Sequence, residues 1–111
     1  MKSPITSHVL DTGAGRPAAG VPVSLRTARG VEIARAKTDA DGRLLDWLPK
    51  SFAPRRGVYE IIFDTKSYFK SRRQIGFYPE VRICFELADP KQHYHVPLLL
   101  SPWGFSTYRG S

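Results

Sequence analysis

Polar and apolar residues alternate with a period of two along most of this chain, and glycine or proline cuts the alternation at short intervals. A period of two places successive side chains on opposite faces of a β-strand, so the pattern calls for short strands with one face buried. Residues 6–11 form the first such run, closed by a loop at 12–17 that carries Gly13, Gly15 and Pro17. Runs at 21–28 and 31–38 are rich in β-branched residues and meet at Arg29-Gly30, which reads as a hairpin connection. Asp39-Ala40-Asp41-Gly42 is a second turn, since glycine after aspartate accepts positive φ without a Cβ clash.

Residues 43–48 read as a short strand, and a loop containing Pro49, Pro54, Arg55 and Arg56 separates it from the strand at 57–63. Residues 80–87 and 93–100 continue the pattern. Ser101-Pro102-Trp103-Gly104 has the residue order of a type I turn and should fold a last strand, 105–109, back on its neighbour. Residues 64–72 are the one helical candidate: Asp64 or Thr65 can cap them, no proline interrupts, and basic residues gather at the end. Many short strands with frequent turns and a single short helix predict an all-β fold, a β-sandwich of two four-stranded sheets. At 111 residues the chain is expected to form one domain, 1–111, with no internal repeat.

Composition narrows the function classes. Lys plus Arg number 17 against 10 Asp plus Glu, a net charge of +7, and 11 of the 17 are arginines scattered along the chain. Scatter argues against a nucleic-acid stripe, while a positive field favours an anionic small molecule. No apolar run approaches the roughly 18 residues of a membrane span, and Pro4 interrupts the position where a signal peptide would carry its apolar segment. The single cysteine, Cys84, has no internal disulfide partner and sits in Val81-Arg82-Ile83-Cys84-Phe85, where a reduced thiol is expected to behave as a small hydrophobe. These features predict a cytoplasmic protein without membrane contact.

Strand parity locates the candidate chemistry. His8 and Leu10 face opposite to Val9, and His95, Pro97 and Leu99 face opposite to Val96, Leu98 and Leu100. The Val and Leu set is the natural core, so His8 and His95 lie on outer faces beside apolar residues. Such a face is too apolar for plain solvent and suggests a ligand surface or a subunit interface. A lone histidine is most often a hydrogen-bonded structural residue. A metal site is the sharper alternative, because His93-x-His95 places two imidazoles on one side of a strand and His8 could be a third zinc ligand. No carboxylate stands near to orient them. Arg43 starts a strand after the Asp41-Gly42 turn and offers five donors in a fixed fork. The ending Ser106-Thr107-Tyr108-Arg109-Gly110-Ser111 stops within about two residues of a strand, which would make the Ser111 hydroxyl and a terminal carboxylate available to a site.

Three stretches closely resemble the transthyretin-related 5-hydroxyisourate hydrolases. They are Ser7-His8-Val9-Leu10-Asp11-Thr12 with Gly15-x-Pro17-Ala18-x-Gly20, then Thr38-Asp39-Ala40-Asp41-Gly42-Arg43, then His93-Tyr94-His95-Val96-Pro97-Leu98-Leu99-Leu100-Ser101-Pro102 through to Ser111. Together they span essentially the whole chain from Ser7. The ending Tyr108-Arg109-Gly110-Ser111 is the most specific, because hormone-carrying transthyretins share the fold but lack it and the histidines. Trp103 and Phe105 stand where tyrosine is common in the family.

The resemblance implies a transthyretin-like sandwich and an active site of His8, Arg43, His95 and Ser111, shaped by Tyr108 and Arg109, with His93 outside it. It implies no metal or organic cofactor, 5-hydroxyisourate as substrate, and a homotetramer with sites between dimers. A non-catalytic transthyretin-like carrier and a zinc-dependent hydrolase using His8, His93 and His95 are the competing readings.

Overall fold

A computed structural model describes residues 2–111. The strands are β1 (Ile5–Asp11), β2 (Arg16–Pro17), β3 (Pro22–Thr27), β4 (Glu32–Lys37), β5 (Arg43–Leu44), β6 (Gly57–Phe63), β7 (Val81–Leu87), β8 (Tyr94–Ser101) and β9 (Gly104–Thr107), with one helix, α1 (Thr65–Ser71), between β6 and β7. One sheet runs β2-β1-β8-β9 with β5 also pairing β1, and the other runs β4-β3-β6-β7. The sandwich matches the expectation, with one difference. The first sheet has five strands, because β2 and β5 each take two residues of the edge of β1 that β8 leaves free.

The core is the inward set of the alternating pattern. Val9, Leu98 and Leu100 are essentially inaccessible, and Val96 is buried with them against Val23, Leu25, Ile61 and Phe63 of the second sheet. Each such side chain contributes roughly 1.5–3 kcal/mol by leaving water. Asp64 caps α1, its carboxylate accepting the Ser67 N–H at 3.0 Å. Tyr68 and Phe69 turn the helix into the core, and the Tyr68 hydroxyl donates to the buried Asp11 carboxylate at 2.7 Å. Burial first, then that hydrogen bond, push the Tyr68 pKa up to about 12.

Two expectations need correction. The strand at 43–48 stops after Leu44, because the Ser3 hydroxyl oxygen accepts the N–H groups of Trp47 and Leu48 and the Trp47 indole donates to the Ile5 carbonyl. Those bonds turn the chain away from β1. Cys84 is exposed rather than packed as a small hydrophobe: it sits on the outward face of β7 with Arg82 and Glu86, while Val81, Ile83, Phe85 and Leu87 point inward. Among the described residues no helix is long and apolar enough to cross a membrane.

Candidate active site

Strands β1 and β8 run parallel, with Thr6 opposite His95 and His8 opposite Pro97. On the other side of β1, His8 pairs with Arg43 of β5. Arg43, His8 and His95 therefore form a row across three neighbouring strands on the outer face of one sheet, each half-buried. The row depends on the turn before β5. Asp39 accepts the backbone N–H groups of Asp41 and Arg43 through Oδ1, both at 2.9 Å, and accepts Gly42 N–H through its carbonyl at 2.9 Å. Gly42 has φ of 75° and its carbonyl accepts Val9 N–H at 2.8 Å; a Cβ there would collide with the Val9 carbonyl oxygen. Only glycine lets the turn press against β1 and deliver Arg43 beside His8.

The hydrogen bonds fix most of the proton positions. His8 Nε2 lies 3.0 Å from the Asp41 carbonyl oxygen, which can only accept, so Nε2 carries the hydrogen and neutral His8 presents a bare lone pair at Nδ1. Burial first and the Arg43 charge second hold the His8 pKa below the usual imidazole value, against the raising effects of the Asp41 carbonyl and of Asp39 and Asp41. His95 is lowered as well, by burial first and then by the positive charges of His8, His93, Arg43 and Lys2. Both imidazoles are consequently neutral at pH 7. The Arg43 guanidinium has no carboxylate or other hydrogen-bond partner among the described residues. Two neutral imidazoles beside an unpaired planar cation can move a proton and hold a developing oxyanion.

Other sequence-predicted residues sit around this row. Gly110 bridges His95, its N–H donating to the His95 carbonyl at 2.8 Å, which brings Ser111 next to the site. Arg109 is directed elsewhere: its guanidinium lies 4.5 Å from the centre of the Tyr94 ring and donates to Gln92 Oε1 at 3.0 Å and to the His93 carbonyl at 3.3 Å. Tyr108 is exposed, and with Arg109 it lines a cavity of about 460 Å³ at the open edge of the sandwich, between β7 and the start of β8. His93 is exposed, yet its Nε2 lies 2.9 Å from Thr6 Oγ1, and His95 Nδ1 approaches the same hydroxyl at 2.7 Å.

The metal alternative meets this geometry directly. The nitrogens of His93 and His95 that converge do so on Thr6 Oγ1, and His8 Nε2 is turned to Asp41. Among the described residues no three His, Cys, Asp or Glu side chains group as metal ligands. Thr6 is the member of this cluster that sequence reasoning missed. Parity with His8 was the available signal, but its two partners lie 87 and 89 residues away.

Comparison with known proteins adds a family to this geometry. The family model described as HIUase/Transthyretin family matches residues 5–110. The chain is similar to 5-hydroxyisourate hydrolase of Mus musculus, with 44% identity over 115 residues, covering 98% of this chain and 96% of that protein. It is similar in structure to Klebsiella pneumoniae 5-hydroxyisourate hydrolase, with a TM-score of 0.86 and 34% identity over 96% of this chain and 97% of that one. Sea bream transthyretin in complex with thyroxine also gives a TM-score of 0.86, at 32% identity over 97% of this chain and 95% of that one.

Proposed function

The chain belongs to the HIUase/Transthyretin family, and from that premise we propose that it hydrolyses 5-hydroxyisourate to 2-oxo-4-hydroxy-4-carboxy-5-ureidoimidazoline. The fold does not choose between hydrolase and carrier, because a hydrolase and a thyroxine-bound transthyretin match it equally well. The side chains carry the choice: His8, Arg43 and His95 in one half-buried row, two lone imidazoles kept neutral and one guanidinium left unpaired.

Water attacks a ring carbonyl carbon and gives up a proton to a neutral imidazole. The carbonyl oxygen becomes an oxyanion, and the Arg43 fork, already at the site and unpaired, stabilises it. The ring C–N bond then breaks, the proton passes from the imidazole to the leaving nitrogen, and the carbon is left as a carboxylic acid that loses its proton to solvent. Water and these side chains supply every atom of the step, so it calls for no cofactor. Ser111, held next to His95 through Gly110, orients substrate. Arg109, gripping Tyr94 and Gln92, anchors the segment that carries Ser111, and Tyr108 precedes it in that segment.

Assembly belongs to the same reading. Trp103, Phe105 and Tyr108 are exposed and Leu10 and Leu99 half-exposed on or beside the site's sheet, an apolar surface that supports a homotetramer with the sites between dimers. An exposed, unpaired Cys84 thiol supports a cytoplasmic setting. The functional test is spectroscopic: 5-hydroxyisourate freshly generated by urate oxidase should decay faster with this protein than without it. Equal decay would refute the assignment.

A further inference from the structure

We propose that the Thr6 hydroxyl is a positioning group that fixes the proton of neutral His95 on Nε2, which makes His95 a hydrogen-bond donor to the reacting group and His8 the base that takes and returns the proton. The proton assignment rests on the shared hydroxyl and on the tautomer preference of imidazole; the catalytic roles rest on the hydrolase reading above.

Thr6 Oγ1 has one hydrogen and stands within hydrogen-bond distance of two imidazole nitrogens, His95 Nδ1 at 2.7 Å and His93 Nε2 at 2.9 Å. Thr6 is 1% exposed, so its hydrogen has no water to turn to and points at one ring or the other. If it points at His93, that ring must carry its hydrogen on Nδ1, and His95 must donate from Nδ1 as well. Both histidines would then hold the tautomer that neutral imidazole side chains disfavour in water. If it points at His95, His93 donates from Nε2, His95 keeps its hydrogen on Nε2, and both rings hold the favoured tautomer. A protonated His93 also permits only the second arrangement, because its Nε2 then always donates. The chain His93 Nε2–H to Thr6 O–H to His95 Nδ1 is therefore the arrangement that satisfies all three groups with both rings in the favoured tautomer.

The consequence lies at the other edge of the His95 ring. Its Nε2 has no partner among the described residues and presents an N–H, whereas His8, tied through Nε2 to the Asp41 carbonyl, presents a lone pair at Nδ1. Two chemically identical side chains are thus oriented as opposites, His8 to accept the proton of water and return it to the leaving nitrogen, and neutral His95 to donate a hydrogen bond from Nε2–H to the reacting group. His93, which touches neither the attacking water nor substrate in this scheme, biases the hydroxyl that orients its neighbour.

The test is 15N NMR of the histidine rings in the full-length protein at mildly alkaline pH without substrate. His95 should show a protonated, pyrrole-type Nε2 and a lone-pair, pyridine-type Nδ1; the reverse pattern would overturn the proposal whatever the variants do. Thr6→Val keeps the shape of the buried side chain and removes the hydroxyl. It should mix the two His95 tautomers and lower kcat about tenfold with KM little changed. Thr6→Ser should restore both the single tautomer and the rate. A Thr6→Val protein with an undisturbed His95 tautomer and wild-type kcat would also overturn the proposal. Because the ring signals are read without substrate, a failure to hydrolyse 5-hydroxyisourate refutes the function and leaves the proton assignment standing.

Discussion

A methyl group on Gly110 would lie 2.5 Å from Cδ2 of the His95 imidazole and 3.2 Å from its Cγ, so the backbone at residue 110 is packed flat against the ring. The peptide cannot simply retreat, because its N–H is bonded to the His95 carbonyl and the preceding Arg109 is held over Tyr94. Gly110→Ala should therefore tilt the ring away from its partners and lower kcat about 100-fold, the scale of a misplaced catalytic group, with the fold retained by circular dichroism. Gly104→Ala is the control, since a Cβ there meets nothing closer than Ser101 Oγ at 3.9 Å, and it should leave the rate unchanged. Wild-type kcat in Gly110→Ala would show that the contact has no bearing on catalysis.

His8→Ala and His95→Ala should each lower kcat by about 100-fold or more while the sandwich stays folded. His93→Ala should cost far less, because Thr6 retains a hydrogen to donate to His95 Nδ1. Steady-state kinetics on the three variants settles the ranking, and near-wild-type turnover in both of the first two would remove the site assignment.

Arg43 has two separable effects, its field and its fork. The positive charge helps to hold the His8 pKa below 6.5, second to burial, so His8 keeps its unprotonated form to lower pH than an ordinary imidazole does. Arg43→Gln removes the charge but not the burial; the His8 titration followed by NMR should move up. Any residual activity should then be lost at higher pH than in the wild type. Arg43→Lys keeps the charge and loses the planar fork, so the His8 titration should hold while the rate still falls substantially. Full activity in Arg43→Lys would mean that only the field matters.

The same shifts give the sign for stability. His8 and His95 take up protons more readily in the unfolded chain, so their contribution is complete above the unfolded value of 6.5 and declines as pH falls from there through their lower folded values. Both rings are only partly buried, and the effect is correspondingly small.

Light scattering should give a particle of about four times the 12.5 kDa chain, as the exposed aromatic groups and the family both suggest. A stable monomer with full activity would rule out sites that depend on contact between dimers.

Much of this architecture is legible in the sequence because alternation and turn chemistry are local. Val9, Val96, Leu98 and Leu100 face inward as parity requires, Asp64 caps the helix, and the Asp39 to Gly42 turn delivers Arg43. What parity cannot give is pairing between distant segments. The parallel alignment of β1 with β8 joins residues nearly ninety apart, and it alone brings Thr6 between His93 and His95. The same limit explains Cys84, whose apolar neighbours lie on the opposite face of β7 from the thiol. It explains Arg109 too, since nothing near it in sequence announces the Tyr94 ring on which it rests. Gly110 reads as a site of close approach, but only the fold identifies what approaches it.

The most direct measurement of the central claim is multiple-turnover kinetics, with freshly generated 5-hydroxyisourate in large excess over protein and the His8→Ala/His95→Ala double variant alongside at matched circular dichroism. The account expects the wild type to convert all the substrate to the ring-opened carboxylate far faster than the buffer reaction, and the double variant to fall back to near the buffer rate. Depletion that stops at one equivalent per site, or equal conversion by the two proteins, would contradict hydrolysis at the His8, Arg43 and His95 row.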